Sequence, residues 1–304
     1  MLKDLNLKNP PIHYQIIPTQ YCTRKCPYCI SSDSKSSKLD ISKLETIFDY
    51  ILKLNKEKNH SKMVIEFNGG EFTTVNNIID YFKLFKKYFY DIKDKVQLIL
   101  TTNIVGPKDV SIYYNILNTV KDFDIWFWVS THYDYNDDYL QRVYNIADFV
   151  IKNKIKINYW FNTIMKKSGP INDLRKEMKE YEKRLNLKYT EEIVKIYFNI
   201  LYPTSIFIPA KLENGVGTML EKYSYQNKKR YCNGNVVFIT PNIISNFCNE
   251  RQITYKKLSY NYFKSLFTDV KLCDKNCPDQ KFNEELFSIP KSESIFRKGN
   301  KNEK

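Results

Sequence analysis

Between residues 13 and 201 the chain alternates short apolar, β-branched and aromatic runs with longer stretches whose apolar residues recur three and four positions apart. The short runs are HYQIIPT (13–19), KMVIEFN (62–68), VQLILTT (96–102), DIWFWVS (124–130), IKINYWFN (155–162) and IVKIYFNIL (193–201). Their Val, Ile, Phe, Tyr and Trp content predicts six strands. Between them ISKLETIFDYILKLNK, from Ile41 to Lys56, carries the period of an amphipathic helix, and further helices are predicted to begin at Asn136 and Asn172. Repeated strand–helix units imply an α/β fold with a parallel sheet. Six units fall short of a closed eight-unit barrel.

Alternation also assigns faces. Glu66 and Asn68 fall on one side of the second strand, Thr101 and Asn103 on one side of the third, and Ser130 and His132 on one side of the fourth. Asn158 and Asn162 share a face of the fifth strand, and Lys195, Tyr197 and Asn199 a face of the sixth. The opposite faces are mostly Val, Ile, Phe and Leu, as packing against helices requires. A polar face near the strand C-terminal ends points to a ligand cavity rather than a barrel filled with apolar side chains. The βα theme stops after Pro203. Residues 204–231 read as a connecting segment, 232–287 as a small cysteine-rich appendage and 288–304 as a basic, disordered tail, leaving 1–203 as the core.

Composition changes this picture little. A hydrophobic content of 42% with 15% aromatic residues is ample for a packed core. The net charge of +14 comes from scattered lysines in a chain rich in Asn, Ile and Tyr with only eight Gly, the profile of an AT-rich genome. We read it as compositional, although a basic chain would also suit an acidic substrate or nucleic acid, which is not favoured. No apolar run approaches the ~18 residues of a membrane span. Met1-Leu2-Lys3 opens no apolar signal segment, so no membrane partner and a soluble, cytoplasmic protein are expected.

The seven cysteines fall in two sets, Cys22, Cys26 and Cys29, and Cys232, Cys248, Cys273 and Cys277. An odd number in a chain without a signal segment argues for metal binding over a disulfide framework. Cluster ligation normally takes four thiolates, so three would leave one iron of a [4Fe–4S] cluster open to substrate or cofactor. A zinc site with three protein ligands and water fits the same residues, as does a chance grouping of thiols.

The run Cys22-x3-Cys26-x2-Cys29, with Tyr28 before its last cysteine and a strand before its first, resembles the signature of the radical S-adenosylmethionine (SAM) superfamily. Phe67-Asn68-Gly69-Gly70-Glu71 is similar to that family's GGE motif, which meets the amino group of SAM. Leu100-Thr101-Thr102-Asn103 and Val129-Ser130-Thr131-His132 stand where the family places polar residues near the SAM ribose and the substrate. The resemblance spans residues 13–203. Phe72 replaces the proline that often follows GGE, and the fifth strand lacks the usual glycine motif.

The resemblance implies a partial (β/α)6 TIM-like barrel binding a [4Fe–4S] cluster through Cys22, Cys26 and Cys29. It implies SAM near Tyr28, Gly69, Gly70, Glu71, Thr102, Asn103, Ser130 and His132. The reaction it implies is reductive cleavage of SAM to a 5′-deoxyadenosyl radical that abstracts hydrogen from the substrate, with an external one-electron donor such as flavodoxin or ferredoxin. No general base is named by the sequence; His132, at a strand end, is the candidate. Trp126, Trp128 and Trp160 read as packing residues.

Cys232-Asn233-Gly234, then Cys248 after fifteen intervening residues, then Cys273-x3-Cys277 is similar to the SPASM/Twitch extension of that family, in its shorter form. Ile243 stands where the family has glycine. The resemblance implies one auxiliary [4Fe–4S] cluster; a structural four-cysteine zinc site uses the same ligands. Enzymes with this extension commonly modify peptides or protein side chains, so a peptide or protein substrate is expected. The alternatives are a nucleotide, RNA or small-metabolite substrate, or a non-catalytic iron–sulfur or zinc protein serving as a redox sensor or binding module.

Overall fold

The computed structural model describes residues 12–24, 37–58, 62–107, 109–132, 137–164, 194–201, 212–213, 216–217, 230–231, 236–246, 251–267 and 272–273. The first half reads β1 (Ile12–Ile16), α1 (Ile41–Lys58), β2 (Met63–Phe67), α2 (Ile78–Phe89), β3 (Val96–Thr102), α3 (Ser111–Val120), β4 (Asp124–His132), α4 (Asp137–Lys152) and β5 (Ile157–Ile164). β6 (Val194–Leu201) completes the six strands expected from the sequence, each within a few residues of its predicted bounds. The helix expected from Asn172 lies outside the described residues.

Strands β1 to β6 are all parallel and lie side by side in chain order. Crossovers that advance in one direction and keep the usual right hand place α1 to α4 on the same face. The core agrees. Tyr14, Ile16, Ile65, Phe67, Leu98, Leu100, Phe127 and Val129 form one cluster with α1 residues Leu44, Phe48 and Ile51 and α2 residues Phe82 and Phe85. On the other face Val64, Ile99, Trp126 and Trp128 form a separate buried cluster, so Trp126 and Trp128 pack. That patch makes the inner face more apolar than the alternation of polar residues had suggested, because these strand centres are covered by their own neighbours.

Helix starts follow local chemistry. Asp40 accepts the Ser42 amide at 2.7 Å ahead of α1, and Asp109 accepts the Ser111 amide at 3.0 Å ahead of α3.

Beyond β6 come the short strands β7 (Leu212–Glu213), β8 (Val216–Gly217) and β9 (Arg230–Tyr231). They are followed by β10 (Val236–Ile239), β11 (Ile243–Asn246), β12 (Gln252–Thr254), α5 (Tyr260–Ser265) and β13 (Leu272–Cys273). The sequence reading put all of 232–287 in an appendage. The described structure differs: β10 pairs in parallel with β1, and β11 and β12 follow antiparallel, giving the order β12-β11-β10-β1-β2-β3-β4-β5-β6. The cause is burial. Val237 and Ile239 join the main core, and Phe263 of α5 packs 5.7 Å from Tyr50 of α1 with the rings tilted, so this segment shares the sheet's core. The result is a mixed α/β fold around a mostly parallel sheet. Among the described residues no helix is long and apolar enough to cross a membrane.

Phe85 is fully buried and meets Phe48, Phe67, Phe89 and Phe123 at centroid distances of 6.4, 6.3, 5.2 and 4.8 Å. Phe85→Ala is expected to lower unfolding stability by about 3–5 kcal/mol, read from the urea midpoint at unchanged slope.

Candidate functional site

Parallel strands deliver their following loops to one end of the sheet. There the segment after β1 lies against the loop after β2. Gly70 N donates to Thr19 O at 3.0 Å and Glu71 N to Tyr21 O at 2.8 Å. The approach is close because Gly69 and Gly70 lack side chains. A Cβ on Gly70 would sit 2.1 Å from Tyr21 O, and one on Gly69 would sit 2.6 Å from Thr19 O. Gly69 also has φ +119, where a side chain is strained. The near approach these glycines permit is therefore to the chain's own cysteine-bearing segment.

Glu71 closes the arrangement from below. Its side chain accepts from Thr73 Oγ1 at 2.7 Å, from the Asn103 amide at 2.8 Å and from Thr102 Oγ1 at 2.9 Å. A Cβ on Gly106 would fall 2.2 Å from Glu71 Cγ, so that glycine too is needed for the fit. Thr102 Oγ1 lies 2.7 Å from Tyr113 OH and accepts the Ile104 amide at 2.9 Å. With its single proton given to the carboxylate, the threonine accepts from the tyrosine. Burial raises the Glu71 pKa above the ordinary carboxylate value, against the lowering effect of these hydrogen bonds.

Cys22 stands at the rim, half-buried. Its Sγ accepts from the Arg24 amide at 3.4 Å and from Asn103 Nδ2 at 3.3 Å. Asn103 is held by its other amide atom, since Oδ1 accepts from Val105 N and Gly106 N, both at 3.0 Å. Ile104, fully buried between them, has φ 63. That conformation is rare for a β-branched residue.

Deeper on the inner face, Glu66 Oε1 accepts from Thr101 Oγ1 at 2.7 Å and from Asn68 Nδ2 at 3.0 Å, while His13 Nε2 lies 2.9 Å from Glu66 Oε2. Asn68 Nδ2 also donates to Gln15 Oε1 at 3.0 Å. The sequence reading passed over His13 and Gln15; their place on β1 beside β2 is the signal that strand pairing supplies and local pattern does not.

Of the residues expected at the site, Cys22, Gly69, Gly70, Glu71, Thr102 and Asn103 are brought together. Ser130 lies half-buried on β4, and His132 ends that strand. Cys26, Tyr28, Cys29, Cys232, Cys248 and Cys277 lie outside the described residues. Cys273 belongs to β13, paired with Arg230 of β9, two positions before Cys232. Thr73, Gly106 and Tyr113 were not anticipated, although Asn103-Ile104-Val105-Gly106 is the kind of Asn–Gly run that favours a side-chain-capped turn.

No family model and no curated protein matches the sequence. Solved structures resemble it weakly. The crystal structure of BtrN in complex with AdoMet and 2-DOIA gives 20% identity and TM-score 0.37 over 49% of this chain and 56% of that one. HydG, a maturase of the [FeFe]-hydrogenase, gives 16% and 0.41 over 64% and 43%. HydG from Carboxydothermus hydrogenoformans gives 13% and 0.40 over 64% and 45%. The chain thus spans about half the length of the structures it matches.

An acid whose folded pKa is raised binds more protons folded than unfolded, so stability falls as pH rises from the unfolded value of 4.5 through the raised folded value. Glu71→Gln is expected to remove that decline and to lower stability overall by about 1–3 kcal/mol, because its NH2 would face the Asn103 N–H. Urea unfolding across pH checks both. An unchanged pH slope would show that Glu71 is not the group responsible. Gly70→Ala is expected to force residues 19–22 away from the β2 loop, read as faster modification of Cys22 by a thiol reagent in the metal-free protein.

Proposed function

We propose that the chain is a radical SAM enzyme that abstracts hydrogen from a peptide or protein side chain. The observation that carries this reading is the anchoring of Cys22, first residue of Cys22-x3-Cys26-x2-Cys29, at the C-terminal end of the parallel sheet by Gly69-Gly70-Glu71 and Asn103. The donor set suits the group. Two N–H donors are aimed at Cys22 Sγ, as a metal-bound thiolate favours. Cys22, Cys26 and Cys29 would hold a [4Fe–4S] cluster, which when loaded supplies one-electron reductive cleavage of SAM bound at its open iron.

The chain's own residues would then bind and orient. Gly69 and Gly70 fix the height of the cysteine segment. Glu71, with its oxygens committed to Thr73, Thr102 and Asn103, keeps the loops after β2 and β3 in register. Ser130 and His132, near the end of β4, would contact the substrate or SAM, and a flavodoxin or ferredoxin would supply the electron. Cys232, Cys248, Cys273 and Cys277 would hold the auxiliary cluster. The pairing of Cys273 with Arg230 supports this by drawing the two halves of that set together. The auxiliary cluster in turn supports the choice of a peptide or protein substrate.

Under reducing, anaerobic conditions the reconstituted protein is expected to convert SAM to 5′-deoxyadenosine, and Cys26→Ala to abolish that product. Full activity in the variant would sink the assignment. The Cys22/Cys26/Cys29 triple-alanine protein is expected to retain about four irons per chain on the second set. About one zinc and no iron would make that set structural and reopen the substrate class.

A further inference from the structure

We infer that Asn103 tunes the reduction potential of the cluster held through Cys22, by donating a side-chain N–H to the thiolate sulfur. The inference rests on the cluster reading above and gives it a residue that the cysteine signature does not contain. By resemblance Asn103 was expected beside the SAM ribose or the substrate. In the structure its Nδ2 is directed to Cys22 Sγ, 3.3 Å away and 81 positions apart in the chain.

The direction of the amide is fixed by three independent features. Oδ1 accepts two backbone amides, Val105 N and Gly106 N, so turning the group round would set NH2 against two N–H donors. The Asn103 backbone is tethered in turn, since its N–H donates to the buried Glu71 carboxylate at 2.8 Å. The third feature is strain. Ile104 follows immediately with φ 63, a conformation that disfavours a β-branched side chain and persists only where the surroundings impose it. Straightening Ile104 would carry Val105 N and Gly106 N away from Oδ1 and release the amide. The sequence thus tolerates an unfavourable backbone at the one position that sets the aim of this donor.

The consequence follows from charge. Adding one electron to a [4Fe–4S]2+ cluster gives the [4Fe–4S]+ state, whose extra negative charge is shared with the ligating sulfurs. A donor on one of those sulfurs stabilises the reduced state more than the oxidised one, and so raises the potential. An external flavodoxin- or ferredoxin-type reductant then needs less driving force to load the electron.

Two variants separate this role from loop structure. Asn103→Ser keeps a hydroxyl acceptor for the turn amides but is too short to reach Cys22. Asn103→Asp keeps Oδ1, removes the donor and adds a charge. Both are compared with wild type by EPR-monitored potentiometric titration without SAM, with iron content per chain as the loading control. Both are expected to titrate at lower potential. For Asn103→Ser the reduced-to-oxidised ratio at a fixed potential should fall about tenfold, equivalent to about 59 mV for a one-electron couple, and further for Asn103→Asp. Wild-type protein labelled with 15N-asparagine should also show a 15N coupling to the reduced cluster. Iron-loaded variants titrating at the wild-type potential, or an iron-loaded wild type without that coupling, would overturn the tuning role and leave the cluster reading standing. A folded wild type that takes up no iron would overturn the cluster reading itself.

Discussion

A carboxylate buried as deeply as that of Glu71 must collect hydrogen bonds from whatever surrounds it, because desolvation disfavours its charge. Here the donors come from Thr73 on its own turn and from Thr102 and Asn103 at the end of β3. The requirement therefore ties two successive βα loops together. Any change that moves one loop relative to the other strands a buried charge, so the mouth of the sheet is held by a penalty for motion as much as by attraction. The cysteine-bearing segment is fastened to the same frame from the other side, by the Gly70 and Glu71 amides. One residue thus sits at the junction of three chain segments that are far apart in sequence.

That frame also explains why the glycines matter. Their missing side chains make room for the backbone of residues 19–21, and this brings Cys22 to the rim within reach of Asn103. The inner face below is built differently, with Val64, Ile99, Trp126 and Trp128 packed together beside the His13–Glu66 pair. The polar groups at the rim and the apolar patch beneath form a floor and a working edge.

The strands were legible because β-branched and aromatic runs of the right length announce themselves locally. Cys22 and Gly69-Gly70-Glu71 drew attention because the motifs they belong to have a spacing that carries chemistry, and the structure brings these residues together. What the pattern could not carry was pairing. VVFIT reads as a strand, but nothing in those residues says that Val236 to Ile239 will lie beside His13 to Ile16. The same limit hid the Glu71–Asn103 and Asn103–Cys22 contacts, each of which joins residues more than thirty positions apart. Ile104 was hidden for another reason. A residue that disfavours left-handed backbone gives no hint that the fold will force it there.

The placement of β10 has a consequence for how the molecule can be assembled. β1 is an interior strand, flanked by β2 on one side and by β10, more than two hundred residues later in the chain, on the other. As the chain emerges from the ribosome, β1 can pair with β2 early but must keep one edge open until residues 236–239 have been made. During that interval Ile12, Tyr14 and Ile16 belong to an unprotected edge of the kind that recruits strands from other chains. A chain cut at residue 203 would keep all six strands predicted from its sequence and yet live permanently in that exposed state. The boundary suggested by the end of the βα theme is thus a boundary of pattern, while the sheet continues to β12 and its core takes in Phe263 of α5.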